Sequence, residues 1–193
     1  MSGPRLSCAG TLLLASTLLA IACHGDSGPI IRVSLGTAAA DQRNFVPASA
    51  FAEYVELPND GDELRVILSS AESSCDQFRR QTDDELRVTL VFQYPRGMRP
   101  TVGTYAWAGH EAHGGLPQSP GIPYVRPHVR LGSRGLALPP GGTVDLTSVK
   151  LERHGAVGGT IRLEQSGGEG VGASSVFGSF LARICRTNPS KTP

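Results

Sequence analysis

Two histidines three residues apart, His110 and His113 in His-Glu-Ala-His, are the first side chains in this sequence whose type and spacing could do metal chemistry. With His128 downstream they offer imidazole nitrogens of the kind that bind zinc or copper. A zinc protease sets His-Glu-x-x-His on one helical face, and here the interval is one residue short. The Gly and Pro residues around it also oppose a helix, so the plainer reading is a solvated loop and no metal is expected. A second group follows: Arg126, His128 and Arg130 alternate, which on a strand puts all three on one face. Such a row can hold a carboxylate, a phosphate or a lipid head group, or it can be a solvated sheet face whose long side chains cover their neighbours. Tyr105 and Trp107 stand before the histidine-bearing stretch and Tyr124 behind it. Exposed, such rings stack on sugars or peptides; buried, they are core.

Other chemistries find little support. Gly167-Gly-Glu-Gly-Val-Gly172 has neither the Lys-Ser/Thr of a phosphate loop nor a helix behind it, and reads as a hairpin loop. The acidic pairs Asp60/Asp62 and Asp83/Asp84 lie in turns without the ligand ladder of a calcium loop. No Gly-x-Ser-x-Gly is present, and no serine sits where a particular histidine would activate it. No catalytic residue and no cofactor is expected. The reading is a non-enzymatic binding or structural module, with 108–123 as the candidate ligand or partner loop, since a loop this long in a compact domain is usually functional or disordered. The alternative is a hydrolase or metal-binding protein using the histidines of 108–128.

The elements that must position these residues are strands. The 24 Gly and 14 Pro favour short strands joined by turns over long helices. Segments 30–35, 51–57, 64–68, 86–94, 101–107, 124–131, 142–152, 158–165 and 176–185 each read as extended, with 36–46 as loop. Leu64, Val66 and Leu68 share one strand face; Phe180, Ala182 and Ile184 share another, which puts Cys185 on the opposite side unless a bulge turns it. Four strands carry a Gly-small-apolar signature: Gly103-Thr-Tyr105, Gly142-Thr-Val144, Gly159-Thr-Ile161 and Gly178-Ser-Phe180. One short helix is expected near 70–80, where Ser69-Ser-Ala-Glu72 has capping-box spacing and Ala71, Cys75 and Phe78 fall on one stripe, turning Cys75 toward the core. The fold class is all-β and mainly antiparallel, a β-sandwich or open barrel.

The N-terminus carries a different signal. Arg5 precedes an uncharged apolar run, Thr11 to Ala22, too short for a spanning helix of about 20 residues but right for an export leader. Leu19-Ala20-Ile21-Ala22-Cys23 resembles the lipobox of bacterial lipoproteins, with Ala20 where that family prefers leucine. The resemblance implies removal of residues 1–22 and acylation of Cys23 by diacylglycerol and a fatty acid such as palmitate. It also implies attachment to the cell envelope, at the outer membrane or the periplasmic side of a membrane. A plain secretory leader or an uncleaved anchor are the other possibilities. Residues 23–29 then form a tether, 30–187 one domain and 188–193 a polar tail. Behind the leader, the β-rich pattern with its late cysteine is similar to uncharacterised lipoproteins of Gram-negative bacteria, which implies no activity. With Cys8 in the leader and Cys23 acylated, Cys75 and Cys185 remain. A disulfide is the simplest outcome, with free thiols or half a metal site as alternatives. Without the leader the chain holds 17 basic and 17 acidic side chains, a balance without the electrostatic footprint of a nucleic-acid binder. The partners expected are the membrane through its lipid, and another envelope protein or a small ligand.

Overall fold

Strict alternation of apolar and polar residues is met by strands with one buried face. The computed structural model describes residues 30–35, 42–57, 61–107, 121–136, 141–164 and 174–188. Among them are eleven strands and no helix. They are β1 (Ile31–Leu35), β2 (Gln42–Phe45), β3 (Ser49–Leu57), β4 (Gly61–Ser69), β5 (Leu86–Tyr94) and β6 (Gly103–Ala106). After these come β7 (Tyr124–Leu131), β8 (Arg134–Leu136), β9 (Gly142–Val149), β10 (Ala156–Glu164) and β11 (Ser174–Asn188). β2 forms within the expected loop 36–46, because Gln42–Phe45 pairs with β1, and β8 falls where the sequence pattern gives no clear alternation.

All eleven join one sheet in the order β6-β9-β10-β11-β3-β4-β5-β7-β8, with β1 on β11 and β2 on β1. Every pairing is antiparallel except β11 with β3, which is parallel. The sheet curls into a half-barrel. Just beyond β6, Trp107 makes a single parallel bridge to Val125 in β7, and its N–H donates to the Gly142 carbonyl at 3.0 Å. The two ends of the curled sheet therefore meet at one point, and Trp107 is part of that seam.

The inner face is apolar. Leu64, Val66 and Leu68 of β4 face Val88, Leu90 and Phe92 of β5, all fully buried, and Phe180, Ala182 and Ile184 close the far wall. Tyr105 stands edge-on to Phe92 and Tyr94, at 5.2 and 5.7 Å between ring centres. The third residue of each Gly-small-apolar repeat (Tyr105, Val144, Ile161, Phe180) lies in this one core. At Gly159 the absent side chain is filled by the Phe180 ring, whose Cζ lies 2.9 Å from where a Cβ would stand. Each large side chain so buried stabilises the fold by about 1.5–3 kcal/mol.

The expected helix at 70–80 is not formed. Residues 70–85 instead make an irregular strap from β4 to β5, with one turn in which the Gln77 and Phe78 amides both donate to the Ser74 carbonyl and another in which the Glu85 amide donates to the Thr82 carbonyl. Serine hydroxyls take the backbone partners that a helix would need. Ser69 Oγ accepts from the Ala71 amide, and Ser70 Oγ accepts from the Leu86 amide. The strap crosses the outer face of the sheet, so Cys75 turns away from the core, not into it. Cys185 faces the same way, at a bulge between Ile184 and Arg186 where β11 pairs with β3. The two are disulfide-bonded across 110 residues, with Cα atoms 5.1 Å apart.

Replacing Cys75 and Cys185 together with alanine is expected to cost about 3–5 kcal/mol in urea unfolding under oxidising conditions. A loss below about 1 kcal/mol would mean that the strap docks unaided and that the bridge constrains nothing.

Candidate functional site

The outer face of β3, β4, β5 and β7 is a lattice of four rows, set by strand register. One row runs Ser49, Ser69, Arg87, Arg130; the next Phe51, Ile67, Thr89, His128; then Glu53, Arg65, Val91, Arg126; then Val55, Glu63, Gln93, Tyr124. The strap covers the first row as far as Arg87, leaving Arg130 exposed, and the β3 end of the next two. What it leaves open is a hollow of about 490 Å³, floored by Ile67, Thr89 and Val91.

The strap is held from several sides. Phe78 packs on Phe51 with ring centres 5.8 Å apart, and Ser49 Oγ donates to the Ala71 carbonyl at 2.7 Å. At the far end Gln81 Nε2 donates to the Gly132 carbonyl at 2.7 Å, and the Gly132 amide to the Glu85 carbonyl at 2.9 Å. Gly132 has a φ of 55°, and a Cβ there would run into the backbone of Asp83. The β7–β8 turn can thus lie against the strap only with glycine at this position.

Beneath the strap, Glu85 and Arg87 form a buried pair, 3% and 7% exposed. Arg87 Nε donates to Glu85 Oε1 at 2.8 Å, and its remaining nitrogens reach the carbonyls of Arg79 and Arg80. Burial pushes the Glu85 carboxyl up. Hydrogen bonds from Arg87, from the Ser69 hydroxyl at 2.5 Å and from the Thr82 amide at 3.0 Å outweigh it and hold the group below its ordinary value.

Two carboxylates form the wall on the β3–β4 side. Glu53 is 1% exposed and is met by Arg79 from the strap at 2.5 Å and by Arg65 at 3.4 Å. Glu63 takes Arg65 at 2.5 Å and the Gln93 amide. Both acids are therefore matched.

The β7 wall differs. Arg126 leans over the Tyr124 ring, 6.0 Å from its centre, and its one ionic neighbour among the described residues is Glu63 at 4.0 Å. The Arg126 Nε is buried with no hydrogen-bond partner among those residues. His128 sits beside it with its outer edge in solvent. Loss of hydration, then the charges of Arg126 and Arg130, keep the imidazole below the ordinary histidine value. A neutral ring between two guanidiniums is a poor seat for a cation.

The expected site residues separate accordingly. Arg126, His128 and Arg130 do share one strand face, and Arg126 and His128 line the hollow, while Tyr124 lies one row further along under Arg126. Trp107 packs against the core and Tyr105 within it. His110 and His113, with residues 108–120 and the glycine-rich 165–173, lie outside the described residues, as does Cys23. No group of three or more His, Cys, Asp or Glu side chains among the described residues is placed to hold a metal ion. The sequence pattern missed Glu53, Glu63, Arg65, Arg79 and Arg87. Its only trace of them is charge on the outward positions of otherwise apolar strands.

No family model matches this chain. No similar curated protein and no similar solved structure is found either. The arrangement of side chains must carry the functional reading by itself.

Two measurements check this electrostatic layout. Glu85 titrates below its ordinary value of about 4.5, so its stabilisation is complete above that pH and is lost as pH falls through the folded value. Glu85→Gln, which leaves Arg87 buried without a counter-charge, is expected to cost about 3 kcal/mol at neutral pH and to flatten the acid branch of the stability curve. In an NMR titration His128 is expected to titrate below an ordinary histidine, and Arg126→Gln to move its midpoint upward. An unchanged midpoint would mean that the two side chains do not sense each other.

Proposed function

We propose that this protein is a non-enzymatic binding module of the bacterial cell envelope, fastened by lipid at Cys23, whose ligand sits in the hollow on the outer face of β3, β4, β5 and β7. One observation carries the binding part: a hollow of ligand size, beside a buried guanidinium nitrogen, Arg126 Nε, that nothing among the described residues satisfies. The buried side chains of the core pack inside the half-barrel, and the hollow opens on the outer face. Support for the envelope part is the leader and Leu19-Ala20-Ile21-Ala22-Cys23. A chain tethered by its N-terminus presents a sheet face to its surroundings without needing a charged patch to stay at the membrane. The bridge between Cys75 and Cys185 fits an oxidising compartment.

This reading moves the candidate site away from the 108–123 loop. Arg126 and His128 remain, and Thr89, Ile67 and Val91 join them from strands that the loop does not contain.

The test is native mass spectrometry of the full-length protein extracted from its own membranes. The polypeptide mass is expected to begin at Cys23 and to include a diacylglycerol and a further acyl chain. A bound small molecule is expected to accompany it. Thr89→Trp, which fills the hollow from the middle of its floor without touching the core, is expected to release that molecule while the acylated mass stays. An unmodified N-terminus would end the envelope part; a bound mass unaffected by Thr89→Trp, or none at all, would end the siting.

A further inference from the structure

We infer that the hollow recognises a single carboxylate carried on an apolar body, with the carboxylate on Arg126 and beside His128, and the body over Ile67 and Val91. This rests on the hollow being the ligand site and adds the chemical class.

The charge count sets the valence. Four guanidiniums line the hollow, Arg65, Arg79, Arg87 and Arg126, against Glu53 and Glu63, with Glu85 behind Arg87. Three of the four are matched by short contacts: Arg65 and Arg79 by Glu53 and Glu63, and Arg87 by Glu85. Among the side chains that line the hollow one positive charge is left, on Arg126, whose one ionic contact among the described residues is at 4.0 Å. A monoanion balances it. A dianion would bring a second negative charge close to Glu63 and Glu53, and the further cation on this face, Arg130, lies outside the lining, beyond His128.

Geometry narrows the group further. The Arg126 side chain is partly exposed at the hollow, its Nε is buried without a partner among the described residues, and its guanidinium is steadied over the Tyr124 ring. A planar fork held in place meets a planar carboxylate through two parallel hydrogen bonds. The neutral His128 ring, one row away, can donate one further hydrogen bond from a ring N–H. The floor then supplies what a bare anion would not use. Ile67 and Val91 are mostly buried but border the hollow, and Thr89 between them presents a methyl and a hydroxyl. A ligand with an apolar stem covers this strip, whereas acetate would leave it wet.

The carboxylate could belong to a fatty acid or to the end of a peptide or acylated amino acid. Hexanoate and N-acetyl-leucine represent the two sources, with inorganic phosphate and hexylamine as the opposing probes. Each is titrated into the full-length protein in detergent, followed by calorimetry and by the His128 ring resonances. For at least one carboxylate a dissociation constant on the order of 1 mM is expected, the scale for so small a ligand in an open site. Phosphate and hexylamine are expected to bind at least tenfold more weakly. Arg126→Gln should weaken the carboxylate about tenfold or more, the scale of a charge-assisted hydrogen bond. Arg126→Lys keeps the charge and loses the planar fork, and should weaken it by a similar factor. Both substitutions are at a half-exposed side chain, and unchanged thermal melting would show the fold intact.

Tighter hexanoate would name a fatty acid as the source, and tighter N-acetyl-leucine a peptide or amino-acid end; either supports the inference. Phosphate binding above both carboxylates, or Arg126→Lys binding like the original, would overturn it. If the native spectrum shows a ligand released by Thr89→Trp but neither carboxylate binds, the site stands and its proposed chemistry falls. If that spectrum shows no such ligand, the siting falls first.

Discussion

A disulfide-stapled strap lying across one face of a curled sheet is the constraint on which the rest of this structure depends. The outer face of β3, β4, β5 and β7 would by itself be a flat, charged surface exposed to water. Residues 70–85, pinned at Cys185 and at Gly132, cover one side of it and turn flatness into a step. The hollow exists in the angle of that step. Arg79 reaches Glu53 only because the strap brings it there, and Arg87 is buried only because the strap lies over it.

This arrangement has an electrostatic cost that is met locally. Carboxylates as hidden as Glu53 and Glu85 lose hydration worth several kcal/mol each, and persist only with close cationic partners. Each has one guanidinium within 3 Å, and Glu53 has a second. The result is a wall whose charges are spoken for, facing a β7 wall where Arg126 is not. Such asymmetry gives a binding surface direction: one side repels by being complete and the other invites by being incomplete.

Much of the fold was legible in the sequence, and for a simple reason. Period-two alternation is a property of a single strand, so Leu64, Val66 and Leu68 announce their shared face without reference to any neighbour. The four Gly-small-apolar repeats likewise mark residues that meet in one core. Cys185 on the side opposite Phe180 and Ile184 looked like a difficulty for a disulfide. It is the position the bridge requires, because Cys75 lies outside the sheet as well. The helix at 70–80 failed because apolar spacing of i, i+4 and i+7 also suits an irregular strap lying on a sheet. Serines 69 and 70 decide between the two by capturing backbone groups. The site was half legible. Arg126, His128 and Arg130 declare a common face, but their neighbours depend on which strand lies beside β7. The chain places β5 there and sends β6 to the other end of the sheet, an outcome of long-range pairing that no local pattern encodes.

The one parallel pairing in the sheet joins β3, from the first third of the chain, to β11 near its end. While a ribosome is still delivering the chain, β3 and β4 can already meet as a hairpin, yet the other edge of β3 has no neighbour until residues 183–188 emerge. Nor can Cys75 find its correct partner before then. Assembly is thus governed by the last strand to arrive. Closure across so many residues makes for slow folding, and an edge left waiting is one that must be shielded from stray partners.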